Sequence, residues 1–536
     1  MDCLTRHIRR RETFGGRGDD RFVKDSPLSV ARFQVVESLA VHRGCVNTVC
    51  WSDEGSRLLS GGDDRTLAVS DPFASQALLL ASPTPHKASI YSARFLAEGE
   101  WMVSCSRDGS IFASPVERPT PTNALLCHRG ATYEVCPTPG DPFSFWSCGE
   151  DGSVRHFDRR QKVNCLSVCQ EDVVATRSCS TTALDVSAAR PHLVAVGCAD
   201  SAVCLYDART LDKGTSAVDA APLSCVRLRE SLGADAAGAD FESSRLHRVT
   251  SVDFSDDGRR LLVSYCSHDA HLFDVDTTVA PSPAAAPLSN SESDRRMLHQ
   301  CRHVRLRGDW SDTGPGSEAA APPATQNVNL NRLRNFMTAW VERQLAIGRQ
   351  RQSQSGGVPP EVASRDDDTS PESRSASTTT APVNIFECVP RHPLLESFSG
   401  HRNCRTLLKQ ACFFGSSHVL SGSDCGHLFG WRRGGRPAQV VLAAVGDSRV
   451  VNCVRTHPTL PVVATSGIQY DVKIWAPVGQ LERDDDYVQK ASRGCRNGRL
   501  LEETKGTVTI PATLLVRMVA AMASRQRQSD QGATEQ

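Results

Sequence analysis

The sequence predicts an all-β fold, a ring of seven four-stranded sheets closed into a propeller, and three observations carry that prediction. A unit made of small residues, an acidic turn and a short alternating strand recurs seven times along the chain. Ahead of most copies stands a second strand pattern with apolar residues at every other position, bounded by Gly, Asp and Ser, which is a strand-turn-strand signal. The first three copies follow one another at the roughly 40–45 residues that make one propeller blade. A single four-stranded unit cannot bury both of its faces, so units of this kind stack around a ring.

The clearest copy is SCGEDGSVRHFDRR, residues 147–160. It joins a strand end at Ser147, Cys148 and Gly149 to a tight turn at Glu150, Asp151 and Gly152, then runs along a strand to Phe157 and Asp158, with Arg160 two residues later. This is a unit of the WD type. Its relatives are LLSGGDDRTLAVSD (58–71), MVSCSRDGSIFASP (102–115), VAVGCADSAVCLYDAR (194–209), LVSYCSHDAHLFD (262–274), VLSGSDCGHLFGW (419–431) and VATSGIQYDVKIW (463–475). The matching inner strands are CVNTVCW (45–51), IYSARF (90–95), TYEV (132–135), TTALDV (181–186), VTSVDF (249–254) and VNCV (451–454); in the sixth copy the pattern blurs into RTLLKQACFF (405–414).

Histidines ahead of the inner strands belong to the same unit. His42, His86, His128 and His401 stand where a WD histidine hydrogen-bonds the turn aspartate, here Asp64, Asp108 and Asp151. Buried polar groups must be paired, so a structural role for them is preferred over metal binding or catalysis. Asp200, Trp431 and Trp475 are assigned to blade structure on the same ground. Several copies are degenerate: Ser70 and Ser114 replace the aromatic, Gln469 stands at the turn acid, and Arg432 follows Trp431 in place of aspartate.

Composition bounds the function. Formal net charge is zero, so no global field favours nucleic acid or a membrane surface, and neither is expected as a direct partner. The 21 cysteines are scattered through strands and turns without Cys-x-x-Cys pairs, and read as small core residues of a reduced compartment. The first residues lack the apolar core of a signal peptide, and no apolar run approaches the ~20 residues of a membrane span. Nucleus and cytoplasm are the expected locations. No metal-ligand spacing, nucleophile motif or phosphate loop stands out, so no cofactor, metal or catalytic residue is expected, although propellers as a class do host enzymes.

The chain divides as follows. Residues 1–27 are an Arg-rich segment, with Arg9, Arg10 and Arg11 read as a solvated basic tail rather than a nuclear address. Residues 28–279 hold blades one to five, with 28–40 expected as a strand that completes the last blade and closes the ring, leaving no open edge. Residues 280–385 have the low-complexity composition of disorder and are read as an insertion between blades five and six. Two islands interrupt it, VRLRGDWSDTGP (304–315) and a helix over 330–348 with Leu330, Leu333, Met337, Trp340, Val341 and Leu345 on one face; each could dock on the propeller or on a partner. Residues 386–478 hold blades six and seven, and 479–536 form a tail with a helix expected from Pro511 to about 525.

Taken together, CVNTVCW, FWSCGEDGSVRHFDRR, VRLRGDWSDTGP, GHRNCRTLLKQACFFG, VLSGSDCGHLF, VVNCV and SGIQYDVKIW resemble the DDB1- and cullin-4-associated factor group, over about residues 20–315 and 385–520. The resemblance implies a non-catalytic substrate receptor. Members of the group bind the adaptor DDB1, damage-specific DNA-binding protein 1, which links them to a cullin-4 RING ubiquitin ligase, while another surface holds a protein substrate of unknown identity. The adaptor contact is attributed to a WDxR box, and the chain offers two, Phe157-Asp158-Arg159-Arg160 and Tyr206-Asp207-Ala208-Arg209. The expected adaptor-binding residues are therefore Asp158, Arg160, Asp207 and Arg209, against the alternative that each Asp-Arg pair only braces its own blade. A ubiquitin-independent scaffold, or a coactivator with nuclear receptors as partners, is the competing reading. No Leu-x-x-Leu-Leu motif is present, and no complete calmodulin-binding IQ pattern stands in the insertion.

Overall fold

Each repeat contributes strands that alternate between residues facing the neighbouring sheets, and this alternation builds the ring in the computed structural model of the chain. The structure describes residues 24–74, 77–96, 99–118, 123–214, 220–228, 247–279, 303–307, 389–435, 437–479, 497 and 507–511. Seven antiparallel sheets succeed one another with their innermost strands at Val46–Trp51, Ile90–Phe95, Thr132–Pro137, Thr181–Val186, Val249–Phe254, Ala411–Phe414 and Val451–Thr456. These are sheets one to seven below. The fold is the seven-bladed propeller expected, almost entirely strand.

Apolar side chains from facing sheets interlock into a belt of clusters. Phe145 and Phe157 of sheet three pack with Val103, Ile111 and Leu125 of sheet two, and Phe273 and Tyr265 of sheet five pack with Leu205 and Val226 of sheet four. Trp431 at the end of sheet six and Trp475 at the end of sheet seven are both buried and both satisfy their indole N–H, on Ser399 O at 2.8 Å and Thr465 Oγ1 at 2.8 Å. Burying such rings is worth about 1.5–3 kcal/mol each, and the satisfied N–H avoids the desolvation cost.

Around the centre the innermost strands are braced side chain to backbone. Glu134 Oε2 accepts from Leu184 N–H of the next sheet, Asp185 Oδ2 from Phe254 N–H, and Asp253 Oδ2 from Phe413 N–H, at 2.8–3.0 Å. Arg94 and Arg455 close on Glu134 from either side, at 2.8 and 3.7 Å. An inner strand lacks a hydrogen-bonded neighbour on its channel side, so these carboxylates satisfy backbone donors that would otherwise have none.

Two strands come from far along the chain. Gln34–Leu39 pairs antiparallel with Val472–Ala476 and is the outer strand of sheet seven, so the two ends of the repeat region meet in one sheet. The expected strand over 28–40 is shorter at its start, because Pro27–Ala31 forms a helical turn: proline at the first helical position pre-sets φ and gives up an amide that would be unbonded anyway. Val30 within this turn and Phe33 after it enter the core of sheets six and seven. The outer strand of sheet five is Leu394–Phe398, which pairs with Ala270–Asp274 from the other side of the insertion. Counted by repeats the insertion lies between the fifth and sixth; counted by sheets, the fifth is finished from beyond it. Val279 and Arg391 exchange two backbone hydrogen bonds, of 2.7 and 3.1 Å, at the point where the chain leaves and returns.

A second compact unit comprises 281–309, 316–388 and 506–536. Within it His303–Arg307 pairs in parallel with Thr507–Pro511. Pro511 is the last residue of this strand. The alternating Thr507, Val508, Thr509 and Ile510, β-branched throughout, favour extended backbone at the position where only the later apolar stripe had been weighed. The helices expected over 330–348 and 512–525, residues 308–315 and the Arg-rich segment up to residue 23 lie outside the described residues. Among the described residues no helix is long and apolar enough to cross a membrane.

Candidate functional site

The turn histidines come first, because their geometry separates structure from chemistry. His42 Nδ1 lies 3.0 Å from Asp64 and its Nε2 2.8 Å from Ser60 Oγ. His128 repeats this with Asp151 at 3.1 Å and Ser147 at 2.7 Å. His86 bonds Ser110 and Ser104, at 2.7 and 2.9 Å, and keeps Asp108 at 3.8 Å. Each set contains the serine, histidine and carboxylate of a nucleophilic triad. Yet Ser60, Ser104, Ser147 and the three imidazoles are buried inside their sheets, so no substrate carbonyl reaches them, and the bonds brace strand to turn. Burial pushes His86 and His128 below the usual imidazole range against the pull of Asp108 and Asp151. The aspartates are also pushed up by burial, but the imidazole and the turn N–H groups outweigh this and hold Asp64, Asp108 and Asp151 low. Gly152 sits in this turn with φ +75°, and a Cβ there would meet Arg177 O at 2.3 Å.

Two positions depart from the pattern. Asp200 has no histidine; Arg177 reaches it at 3.3 Å. His401 is buried against Trp431, and among the described residues neither of its ring nitrogens has a hydrogen-bond partner. The cause is in the sequence: Cys425 occupies the turn position that Asp64 and Asp151 hold in sheets one and three. The preceding Asp424 turns instead to Lys409, 2.9 Å away with both side chains fully buried, and accepts from the N–H groups of Cys404 and Arg405.

The exposed chemistry lies at the ends of the third strands of sheets three and four. Ser153–Asp158 ends on Asp158, and Arg160 folds back on it: Nε donates to Oδ1 at 3.0 Å, Nη2 to Oδ2 at 2.7 Å, and the backbone N–H to Oδ1 at 2.9 Å. Ala202–Asp207 ends the same way, with Arg209 Nε on Oδ1 at 2.9 Å, Nη2 on Oδ2 at 2.6 Å and N–H on Oδ1 at 3.0 Å. The two clasps match bond for bond. Their aspartates are nearly buried while the arginine side chains are 57% and 69% exposed.

Electrostatics follow from that placement. The hydrogen bonds from Arg160 hold Asp158 below the usual carboxylate range, and those from Arg209 bring Asp207 to about 2. Both carboxylates are thus ionised at neutral pH and fix their arginines in one geometry. With the Nε–Nη2 edge taken, Nη1 of each guanidinium is left for a partner. Among the described residues the other sheets lack this clasp: Asp71 accepts from Phe73 N–H and Asp274 from Asp276 N–H, with no arginine in place, and sheets two, six and seven end on Pro115, Arg432 and Ala476.

Around Arg160 the surface is also apolar. Its guanidinium lies 4.7 Å over the ring of Phe143, and Arg159 lies 3.5 Å over Trp101. The segment that follows exposes Val163, Leu166 and Val168, with Leu166 77% exposed, beside the partly exposed Leu126 and Phe143. The resemblance pointed to the two Asp-x-Arg boxes but not to this rim, since single apolar residues in a loop carry no periodic signal.

Comparison with known proteins agrees with the architecture. A family profile, WD domain, G-beta repeat, matches residues 33–71 and 78–112. The human protein DDB1- and CUL4-associated factor 6 is 25% identical over 92% of this chain and 93% of its own length. The mouse protein of that name is 37% identical over 61% of this chain and 39% of its own length. Human WD and tetratricopeptide repeats protein 1 is 23% identical, over 94% of each chain. The chain is thus a WD-type propeller of seven sheets that is similar, along nearly its whole length, to a protein named DDB1- and CUL4-associated factor 6.

Proposed function

We propose that this chain is a substrate receptor of a cullin-4 RING ubiquitin ligase, held by the adaptor DDB1 through the Arg160 and Arg209 clasps and presenting a protein substrate from another face of the ring. The observation that carries the reading is the pair of matched, solvent-facing arginines on consecutive sheets, each already held by an ionised aspartate. A pre-ordered guanidinium loses little further rotamer freedom when it binds, and arginine at the centre of an interface is a frequent hot spot. The apolar rim of Phe143, Val163 and Leu166 supplies the non-polar area that an interface core needs. In this reading the receptor performs no chemistry, ubiquitin transfer belongs to its partners, and it works in nucleus and cytoplasm.

The test is co-purification of DDB1 with wild type and with an Arg160→Ala, Arg209→Ala double variant whose circular dichroism matches wild type. Loss of the adaptor from the folded variant supports the receptor reading. Retention of the adaptor, or its absence from wild type, refutes it and moves the chain to a ubiquitin-independent scaffold or a nuclear-receptor coactivator.

A further inference from the structure

Three thiols meet at the rim of sheet two. Between the third and outer strands of sheet three the chain makes an excursion, 159–172, that leaves its own sheet and lays Asn164–Cys165 parallel to Asn123–Leu125 of sheet two. Few backbone bonds hold it there, Leu126 N–H to Cys165 O at 2.7 Å among them. At the crossing, Cys165 and Cys169 of the excursion face Cys127, which follows the strand of sheet two, and the three Sγ atoms all lie within 4.8 Å of one another.

That spacing suits a tetrahedral ion. Zn–S bonds of about 2.3 Å place sulfurs roughly 3.8 Å apart, and a Zn–O bond of about 2.0 Å places a carboxylate oxygen roughly 3.5 Å from sulfur. Asp172 Oδ2 lies 3.6 Å from Cys169 Sγ. Cys165 and Cys169 are separated by three residues, within the two-to-four-residue gap usual between paired zinc ligands. Cys127 is buried, while Cys165 and Cys169 are half-buried and open to solvent.

Charge agrees with geometry. Three thiolates and one carboxylate carry four negative charges, of which a divalent ion cancels two. Two cations stand beside the cluster: Lys162 Nζ, 3.1 Å from Cys169 Sγ and 2.5 Å from Asp172 Oδ2 and shared with Glu171 at 2.9 Å, and Arg155 Nη1, 3.8 Å from the same sulfur. N–H donors beside ligating atoms are the outer shell that tunes such sites. Cys165 Sγ rests 3.1 Å from Ser167 O.

We propose that Cys127, Cys165 and Cys169 bind a zinc-type divalent cation that pins the 159–172 excursion to sheet two, with Asp172 beside Cys169 at its edge. Cysteine ligates as the thiolate, so binding releases protons and affinity rises with pH. The ion fixes the loop that starts at Arg159 and Arg160, and it stands independently of which partner those arginines meet.

The full chain is purified without chelator from medium containing zinc, and its metal content is measured. Stoichiometric zinc in wild type, and a cobalt-substituted form with thiolate charge-transfer absorption, are the expected results; Cys165→Ser with Cys169→Ser abolishes both, while Cys50→Ser changes neither. Lys162→Ala weakens zinc binding about 10–100-fold, as outer-shell changes do. Should the double variant fail to fold, thiol titration of wild type decides the point: zinc protects three cysteines, and a competing chelator exposes them. Zinc-free wild type with no cobalt–thiolate band overturns the proposal, as does a disulfide among the three cysteines found by peptide mapping.

Discussion

Replacing His401 by leucine stabilises the ring, and does so more at pH 5 than at pH 7. Burial, with Lys409 nearby, pushes the His401 imidazole down to about 4, whereas an unfolded histidine titrates near 6.5. The unfolded chain therefore binds the proton first as pH falls. A group whose folded pKa is depressed in this way has its full stability above the unfolded pKa and loses it on acidification. Between those values the loss is about 0.2 kcal/mol at pH 7 and about 2 kcal/mol at pH 5. Leucine removes this penalty and two unpaired ring nitrogens, while keeping contact with Trp431. The expected gain is about 1 kcal/mol at pH 7 and about 2 kcal/mol more at pH 5. Urea midpoints of wild type and variant at both pH values measure it, since the difference between the two proteins cancels every other titrating group. A gain that is equal at the two pH values would show that His401 does not titrate as described. His128→Leu is the contrast: it strips partners from Ser147 and Asp151 and is expected to cost about 1–3 kcal/mol at neutral pH.

Other expectations follow from the same groups. Lys409→Met leaves Asp424 buried without its counter-charge and should cost about 3–5 kcal/mol, read from thermal or urea unfolding; a loss below 1 kcal/mol would mean that water reaches Asp424. Burial and the neighbouring Asp185 push Asp253 above the usual carboxylate range, so its contribution is present at low pH and is lost as pH rises. Asp253→Asn, whose amide oxygen can still accept from Phe413 N–H, should therefore gain on wild type between pH 5 and pH 8, and a gap that is constant with pH refutes the assignment. Replacing 281–388 by a short Gly-Ser linker should leave the melting of the ring unchanged or raise it by up to about 2 kcal/mol, because loop closure depends only on the logarithm of length and Val279 and Arg391 already meet.

The ring was legible because its signals are local and repeated: the period-two strands, the His42–Asp64 type of pairing and the Asp-x-Arg turns each fit inside one repeat. What escaped depends on long range or on a missing partner. His401 reads like His42 until the residue at the turn position, Cys425, is set beside it; only the fold shows that Asp424 has turned to Lys409. Leu394–Phe398 reads as the start of a repeat, and nothing local tells which sheet it joins. Cys165 and Cys169 carry a ligand-like spacing of three residues, outside the Cys-x-x-Cys pattern considered, and Cys127 joins them only because the excursion crosses between sheets.

The borrowed strand Leu394–Phe398 makes the ring separable in a particular way. A chain cut inside 281–388 would give two fragments, each missing an edge that the other carries. The first would bring sheets one to four, three strands of the fifth and Gln34–Leu39; the second would bring sheet six, three strands of the seventh and Leu394–Phe398. Two unrelated sheets would then have to zip at once, so neither half has a reason to persist alone as an open arc. Such a pair behaves as a two-component reporter whose reassembly signals that the circle is complete.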